Sequence, residues 1–332
     1  MGQTKIHILT ERRARAEHPV WYETTLGQED AFSLNPEVEL LPLNAAIGRA
    51  NHWFSEKTRK VLPDITVPVQ SGDWYLFVVM SVFDWVYNRS TLRRVKARGG
   101  RVCLYCYDTW EPEYKHWLGL LRNLQPDAVF FAYYQSYEFF STRLPHCHFL
   151  PQSMDARFFR DYSLPKKRMF MQMGRRVDSI HDMILGYMKE RGIDDTPENY
   201  SYRRTPGEIP FPDMESMARA VNATKYFVCA PRCCHTPGST GNVQDVTARY
   251  YEAMACKSLI IGFKPEPVFN MLFPEDAMVS LRPDGADFAE KIDWFENHPE
   301  EYRRLVERNY ALVMGKHTWQ ARYGKLLAAL EP

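Results

Sequence analysis

The chain has 332 residues, 45% of them hydrophobic and 25% charged, with 42 Lys and Arg against 41 Asp and Glu; this is an ordinary globular composition, too long for one core, so two domains of about 150 residues each are expected. The near-balance of charge gives no whole-chain field for nucleic acid, and no nucleic-acid partner is expected. Seven cysteines, an odd number, no secretory signal, and apolar runs far shorter than the roughly 20 residues that span a bilayer predict a reduced, cytoplasmic protein without a transmembrane helix.

In chain order, strand-length apolar runs fall at 5–10, 75–80, 101–107, 127–133 and 146–150. Between them lie charged helices at 90–98 and 113–123, the second closed by Pro126. The scheme repeats with strands at 168–173, 199–203, 225–230, 258–263 and 277–281. Two terminal helices follow at 299–316 and 319–330, separated by Gly315 and capped by Thr318. The strands are rich in Val, Ile, Phe and Tyr without strict alternation, which predicts helices on both faces of two doubly wound parallel sheets. The change of domain is expected within 150–167, where Pro151 and Pro165 bracket a polar, aromatic stretch. Arg89, Arg93, Arg94, Lys96, Arg98 and Arg101 form the richest basic segment; it is either a solvated helix face or a contact for an anionic membrane surface or acidic acceptor.

The most informative stretch is the loop T-P-G-S-T-G-N at 236–242, followed by V-T-A-R-Y-Y-E-A-M-A-C-K-S-L-I-I-G ending at Gly262. A helix at 248–256 runs directly into a strand, with Tyr250, Ala253, Met254 and Ile260 supplying packing. That leaves Arg249 and Glu252, three apart, on one exposed side, as a plain surface ion pair or as a functional one. Gly238 and Gly241, with Ser239 and Thr240, let backbone amides approach a phosphate ahead of the helix.

R-Y-Y-E-A-M-A-C followed by a strand resembles the donor-site helix of the GT-B glycosyltransferases, especially the bacterial "glycosyl transferases group 1" type. The resemblance implies an α/β chain of two Rossmann-like doubly wound domains facing across a cleft. Residues 1–153 would bind the acceptor, 154–316 the nucleotide sugar, and 317–332 would form a helix returning to the N-terminal domain. In that family the Glu matching Glu252 binds the ribose hydroxyls. M-G-R-R at 173–176 is similar to the family's first C-terminal strand end, which implies Gly174 and Arg175 at the diphosphate with Arg176 as a neighbouring cation. Two solvated arginines at a strand end are the alternative. L-P-Q-S-M-D at 150–155 and H-T-W at 317–319 also look like family segments. The implied donor site is Gly174, Arg175, Arg176, Thr240, Gly241, Asn242, Gln244, Arg249 and Glu252. Two departures stand out: Gln244 replaces a second family Glu, and Ile180 stands near the place of a family Lys.

For the acceptor, the strand at 101–107 ends in D-T-W-E-P, which makes Asp108 a candidate general base, or else a turn or helix-cap residue. Ser81 and Asp84 are a second candidate. Cys103 and Cys106 have a metal-ligand spacing, with His146, Cys147 and His148 further on, but residues three apart in a strand point to opposite faces, which argues against zinc. No D-x-D, phosphate-loop or hydrolase signature is present. The expectation is a metal-independent transferase with no cofactor beyond its nucleotide-sugar donor. Its acceptor would be a saccharide or glycolipid, in bacterial cell-surface synthesis, with peripheral contact at the inner face of an anionic membrane. A sugar-nucleotide epimerase and a non-catalytic nucleotide-sugar-binding module are the alternatives.

Overall fold

A computed structural model of the protein describes residues 4–11, 23–43, 63–174, 176–204 and 211–331. The chain divides into two compact units, Met1–Gln152 with Arg322–Pro332, and Ser153–Ala321. The second unit runs past residue 316, because the hydroxyl of Ser153 donates to the His317 carbonyl, Met154 bridges Thr318, and the Trp319 amide donates to the Met154 carbonyl at 3.3 Å.

In the first unit, strands β1 (Ile6–Thr10), β2 (Val38–Pro42), β3 (Trp74–Val79), β4 (Arg101–Cys106), β5 (Ala128–Phe131) and β6 (Cys147–Phe149) form one sheet in the order β2-β1-β3-β4-β5-β6. Every pairing is parallel. All residues of β1 and β3 are buried, as a sheet covered on both faces requires. Strand β2 was not anticipated: it is an edge strand in which only Leu41 is fully buried, so V-E-L-L-P lacks the apolar run that marks its neighbours.

Helix α1 (Glu23–Phe32) follows β1, and α2 (Val82–Ala97) starts well before the expected residue 90. α3 (Tyr114–Leu124) buries Trp117, Leu121 and Leu124 and ends on Gln125 in the left-handed region, φ 52°. α4 (Tyr134–Ser141) follows β5 and seats Phe140 flat on Phe131, ring centroids 4.7 Å apart.

The basic segment has structural employment. Arg94 donates to the carbonyls of Asp64, Ile65 and Val67 at 3.2, 3.2 and 2.9 Å. Lys96 pairs with Asp127 at 3.0 Å. Arg101 donates to the Gly72 carbonyl at 2.9 Å and lies over the Trp74 ring. The guanidinium groups thus serve loop carbonyls, and the Lys96 ammonium a carboxylate, within the first unit.

The second unit has a five-stranded parallel sheet of β7 (Arg168–Gln172), β8 (Tyr200–Ser201), β9 (Thr224–Cys229), β10 (Leu259–Gly262) and β11 (Met278–Ser280), in the order β11-β10-β9-β7-β8. Crossover helices α5 (Asp178–Glu190), α6 (Met214–Asn222) and α8 (Ala248–Ala255) connect the strands, with a one-turn helix α7 (Pro237–Thr240) ahead of α8. Phe170, Tyr226, Val228, Leu259 and Ile261 form the centre of the core on one face of this sheet.

Gly262 closes β10 at φ 141°, where a Cβ would sit 1.9 Å from the Cys229 carbonyl oxygen. Only glycine lets the ends of β9 and β10 come this close. After α9 (Val268–Leu272) and α10 (Phe288–Asn297) come α11 (Pro299–Lys316) and α12 (Trp319–Leu330), with the expected bounds. Gly315 does not break α11; the interruption falls at His317, and Thr318 caps α12 by accepting from the Ala321 amide at 3.2 Å.

Candidate functional site

Ligands of open parallel sheets bind at the carboxyl ends of the strands, and in the second unit those ends carry several of the expected residues. At the end of β7, the buried Gln172 side chain accepts from the Tyr200 hydroxyl at 3.1 Å, and Tyr200 lies 3.1 Å from His181 Nδ1. With the Tyr200 proton on Gln172, His181 must donate through Nδ1. Burial pushes the His181 pKa down, and the nearby Arg176 charge adds to it, so the imidazole resists protonation. The relay sits directly behind the turn that begins at Gly174, φ 81°.

Arg175 lies outside the described residues. Arg176 is exposed and pairs with Asp178 at 2.8 Å, a hydrogen bond that raises its pKa. Its carbonyl accepts from His235 Nδ1 at 2.8 Å, which ties the turn after β7 to the loop after β9.

That loop is a built structure. The buried Asp245 accepts from the Arg232 amide at 2.7 Å, and Gln244 Nε2 donates to Cys233 Sγ at 3.3 Å. The glycine-bearing stretch is not an open phosphate loop over its whole length, because 237–240 coil into α7. The Thr240 side chain is buried and its hydroxyl donates to the Thr236 carbonyl at 2.9 Å, within its own turn. Gly241, φ 63°, ends the turn; Asn242 is exposed and Gln244 half-buried on the way into α8.

Helix α8 corrects the sequence reading of its polar residues. Every residue of the helix except Arg249 is buried, and the Glu252 side chain is only 4% exposed, so the pair is not on an exposed face. The letters concealed this, because both Tyr250 and Tyr251 beside the carboxylate are themselves fully buried. Arg249 Nη1 is ion-paired with Glu252 and also lies 3.5 Å from Met217 Sδ. Burial pushes the Cys229 thiol up, and the Glu252 charge pushes it further. The carboxylate therefore lies by the end of β9, where Gly262 also makes its close approach.

In the first unit, Asp108 follows β4 and its amide donates to the Met80 carbonyl at 2.9 Å. Its Oδ1 accepts from the Tyr133 hydroxyl at 3.0 Å, and Gln152 Nε2 reaches the same hydroxyl at 3.4 Å. The adjoining 3-10 turn Glu111–Glu113 is headed by Trp110, so Asp108 does not cap it. Of the second candidate, the Asp84 side chain lies outside the described residues.

Sequence reasoning missed the buried Glu29, which accepts from the Thr10 hydroxyl at 2.5 Å. With Glu11 and Met80 it lines a small cavity of about 10 Å³ at the ends of β1 and β3. Nothing in L-G-Q-E-D-A-F distinguishes this Glu from a solvated one. A second hollow, of about 340 Å³, is lined by Tyr134, Tyr137, His148, Phe149, Lys325 and Ala329. Cys103 and Cys106 are buried in β4 with thiols pushed well up by desolvation.

Residues 166–328 match the family model described as glycosyl transferase-like. The second half of this chain is therefore similar to a glycosyl transferase-like domain. That domain holds Arg176, Gln244, Arg249 and Glu252, and the resemblance seen in R-Y-Y-E-A-M-A-C is borne out by the match. No curated protein matches the sequence.

Among solved structures the chain is similar to sucrose-phosphate synthase from Thermosynechococcus elongatus, with a TM-score of 0.61, 12% identity and 99% of each chain covered. It is also similar to HepE from Anabaena, solved in complex with UDP and glucose, with a TM-score of 0.59, 8% identity and 99% of each chain covered. A glycosyltransferase from Rickettsia africae matches with a TM-score of 0.56, 9% identity, and 99% of this chain and 98% of that one covered. These likenesses establish the GT-B fold expected from the sequence: two α/β domains, each built on a parallel sheet, of which the glycosyl transferase-like domain is the second. Among the described residues no helix is long and apolar enough to cross a membrane.

Proposed function

We propose that the protein transfers a glycosyl group from a nucleotide-sugar donor to a hydroxyl acceptor, with the donor held by the glycosyl transferase-like domain. The observation that carries this reading is the buried, charge-balanced Glu252 carboxylate on the helix that follows the glycine-bearing loop. A carboxylate accepts two hydrogen bonds from the vicinal diol of a ribose, each strengthened by its charge. Arg176, Arg175 and the amides around Gly241 and Asn242 would take the diphosphate, stabilising the charge that grows there as the glycosidic bond to it breaks.

On the first unit, Asp108, oriented by Tyr133, would accept the proton of the acceptor hydroxyl as the new C–O bond forms. The half-buried rings of Tyr134, Tyr137 and Phe149 next along the chain offer apolar faces suited to the C–H face of a sugar. Because the sequence has no D-x-D, arginines and amides rather than a metal ion would manage the phosphate charge. The family resemblance supports a role in cell-surface polysaccharide or glycolipid synthesis, at the inner face of a membrane, as part of this proposal. The commitment of Arg94, Lys96 and Arg101 to loop carbonyls and Asp127 favours a structural role for the basic segment over lipid binding.

The test is a thermal-shift panel of UDP-, GDP-, TDP- and CMP-sugars. UDP-glucose belongs in it because HepE was solved with that compound. At least one is expected to raise the melting temperature, by mass action on the folded state. Silence across the whole panel would refute the donor reading, and release of free sugar without an acceptor would point to an epimerase instead.

A further inference from the structure

We infer that Arg249 is the positioning partner of Glu252 and not a ligand of the diphosphate. The inference rests on the reading of Glu252 as the ribose-binding carboxylate and extends it to a residue with a separate job. Helix α8 is buried on all sides apart from Arg249. A carboxylate that is 4% exposed needs a counter-charge, since an uncompensated buried ion is strongly destabilising. The thiols of Cys229 on β9 and Cys256 just after α8 also lie within reach of its charge, both pushed up by burial and by Glu252 itself, and neither supplies positive charge.

The cation comes from one turn earlier on the same helix, an i,i+3 spacing that brings the two side chains side by side. The guanidinium has a second anchor in Met217 Sδ on α6, at 3.5 Å, so it is seated sideways along the protein surface and its Nη1 is spent on Glu252. Arg176 contrasts with it: exposed, on the turn after β7, and paired with the Asp178 side chain, which is 77% exposed. The two arginines therefore divide the work. One is presented to an anion, and the other fixes the rotamer of a carboxylate that would otherwise lose conformational freedom when a ribose binds.

The experiment measures the affinities of the full chain for UDP, 2′,3′-dideoxy-UDP and UMP, with the guanine series in parallel, in the parent, Arg249→Gln, Arg249→Lys and Glu252→Gln proteins. The parent is expected to prefer the ribose over the dideoxyribose form by about tenfold or more, the usual scale for a site built to hydrogen-bond a substrate hydroxyl. Arg249→Gln should bring that preference to about twofold or less while leaving the ratio of diphosphate to monophosphate affinity unchanged, and Arg249→Lys should restore part of it.

The reverse pattern, with ribose preference kept and the diphosphate advantage lost, would make Arg249 a phosphate ligand and overturn the inference. Preference lost in Glu252→Gln but intact in Arg249→Gln sinks the inference alone. A parent without ribose preference in either base series removes the reading of Glu252 and the inference with it. Should Arg249→Gln fail to fold, Arg249→Lys carries the test, because loss of the planar fork must lower the ribose ratio and spare the phosphate ratio.

Discussion

Glu252 and Arg249, three residues apart on α8, form an ion pair in which the carboxylate is buried and the guanidinium about one-third exposed. The asymmetry matters energetically. If Glu252 is removed, Arg249 can turn to water; if Arg249 is removed, the carboxylate cannot.

Glu252→Gln keeps the shape and one acceptor oxygen but discards the charge. Transfer is expected to fall by about 100-fold, chiefly through a raised KM for the donor, with stability lowered by about 1–2 kcal/mol because the exposed partner is easily solvated. Steady-state kinetics beside a urea titration check both halves; unchanged donor KM would contradict the assigned role.

Gly262→Ala should destabilise the second unit by about 3 kcal/mol or more, since the new methyl carbon would lie 1.9 Å from the Cys229 carbonyl oxygen in a backbone region that L-residues avoid. Chemical denaturation reads this directly. A stability within experimental error of the parent would mean that β9 and β10 do not approach as described.

Asp108→Asn is expected to cut turnover by about 100-fold or more with nucleotide affinity unaffected, because the residue lies in the first unit and the donor residues proposed above lie in the second. Tyr133→Phe removes only the hydrogen bond that orients Asp108 and should cost less, about tenfold. Comparable donor affinity in all three proteins, measured calorimetrically, is part of the expectation.

Acid should weaken the protein through His181. Its folded pKa is depressed, so in the window below its ordinary value of 6.5 the unfolded chain takes up a proton that the folded one refuses. The stability is therefore complete above pH 6.5 and declines as pH falls from there toward the lowered folded value. Urea midpoints of the parent should drop between pH 7.5 and 5.5, and His181→Gln should show a smaller drop; parallel pH curves would rule out this origin.

Arg94→Ala frees the carbonyls of Asp64, Ile65 and Val67, and is expected to cost about 1–3 kcal/mol and to open residues 63–72 to proteolysis. Binding to anionic vesicles should not change. A large loss of vesicle binding with stability intact would return the basic segment to the membrane.

Much of the architecture was legible because parallel strands buried on both faces are written as short apolar runs: 101–107 and 258–263 were located to within a residue or two of β4 and β10. The edge strand β2 escaped because one solvated face and a Glu leave no such run. The helix running straight into a strand was also present in the letters, since R-Y-Y-E-A-M-A-C joins a helix period to a buried strand without a gap, and the donor role proposed for it comes from the family resemblance. What the letters could not convey was which polar residues of that helix are buried. Exposure depends on what α6, β9 and β10 bring against it, and those neighbours lie far away in the chain.

The amino-acid order by itself determined the alternation of elements, the two-unit plan and the chemical types available at the strand ends, because periodicity and turn chemistry are local. Tertiary packing decided that Glu252 faces Arg249 in a buried setting, that Thr240 spends its hydroxyl on its own turn, and that Asp108 meets Tyr133. Each of these depends on desolvation or on a hydrogen bond whose geometry arises only when elements distant in sequence, or coiled into one compact turn, are held together.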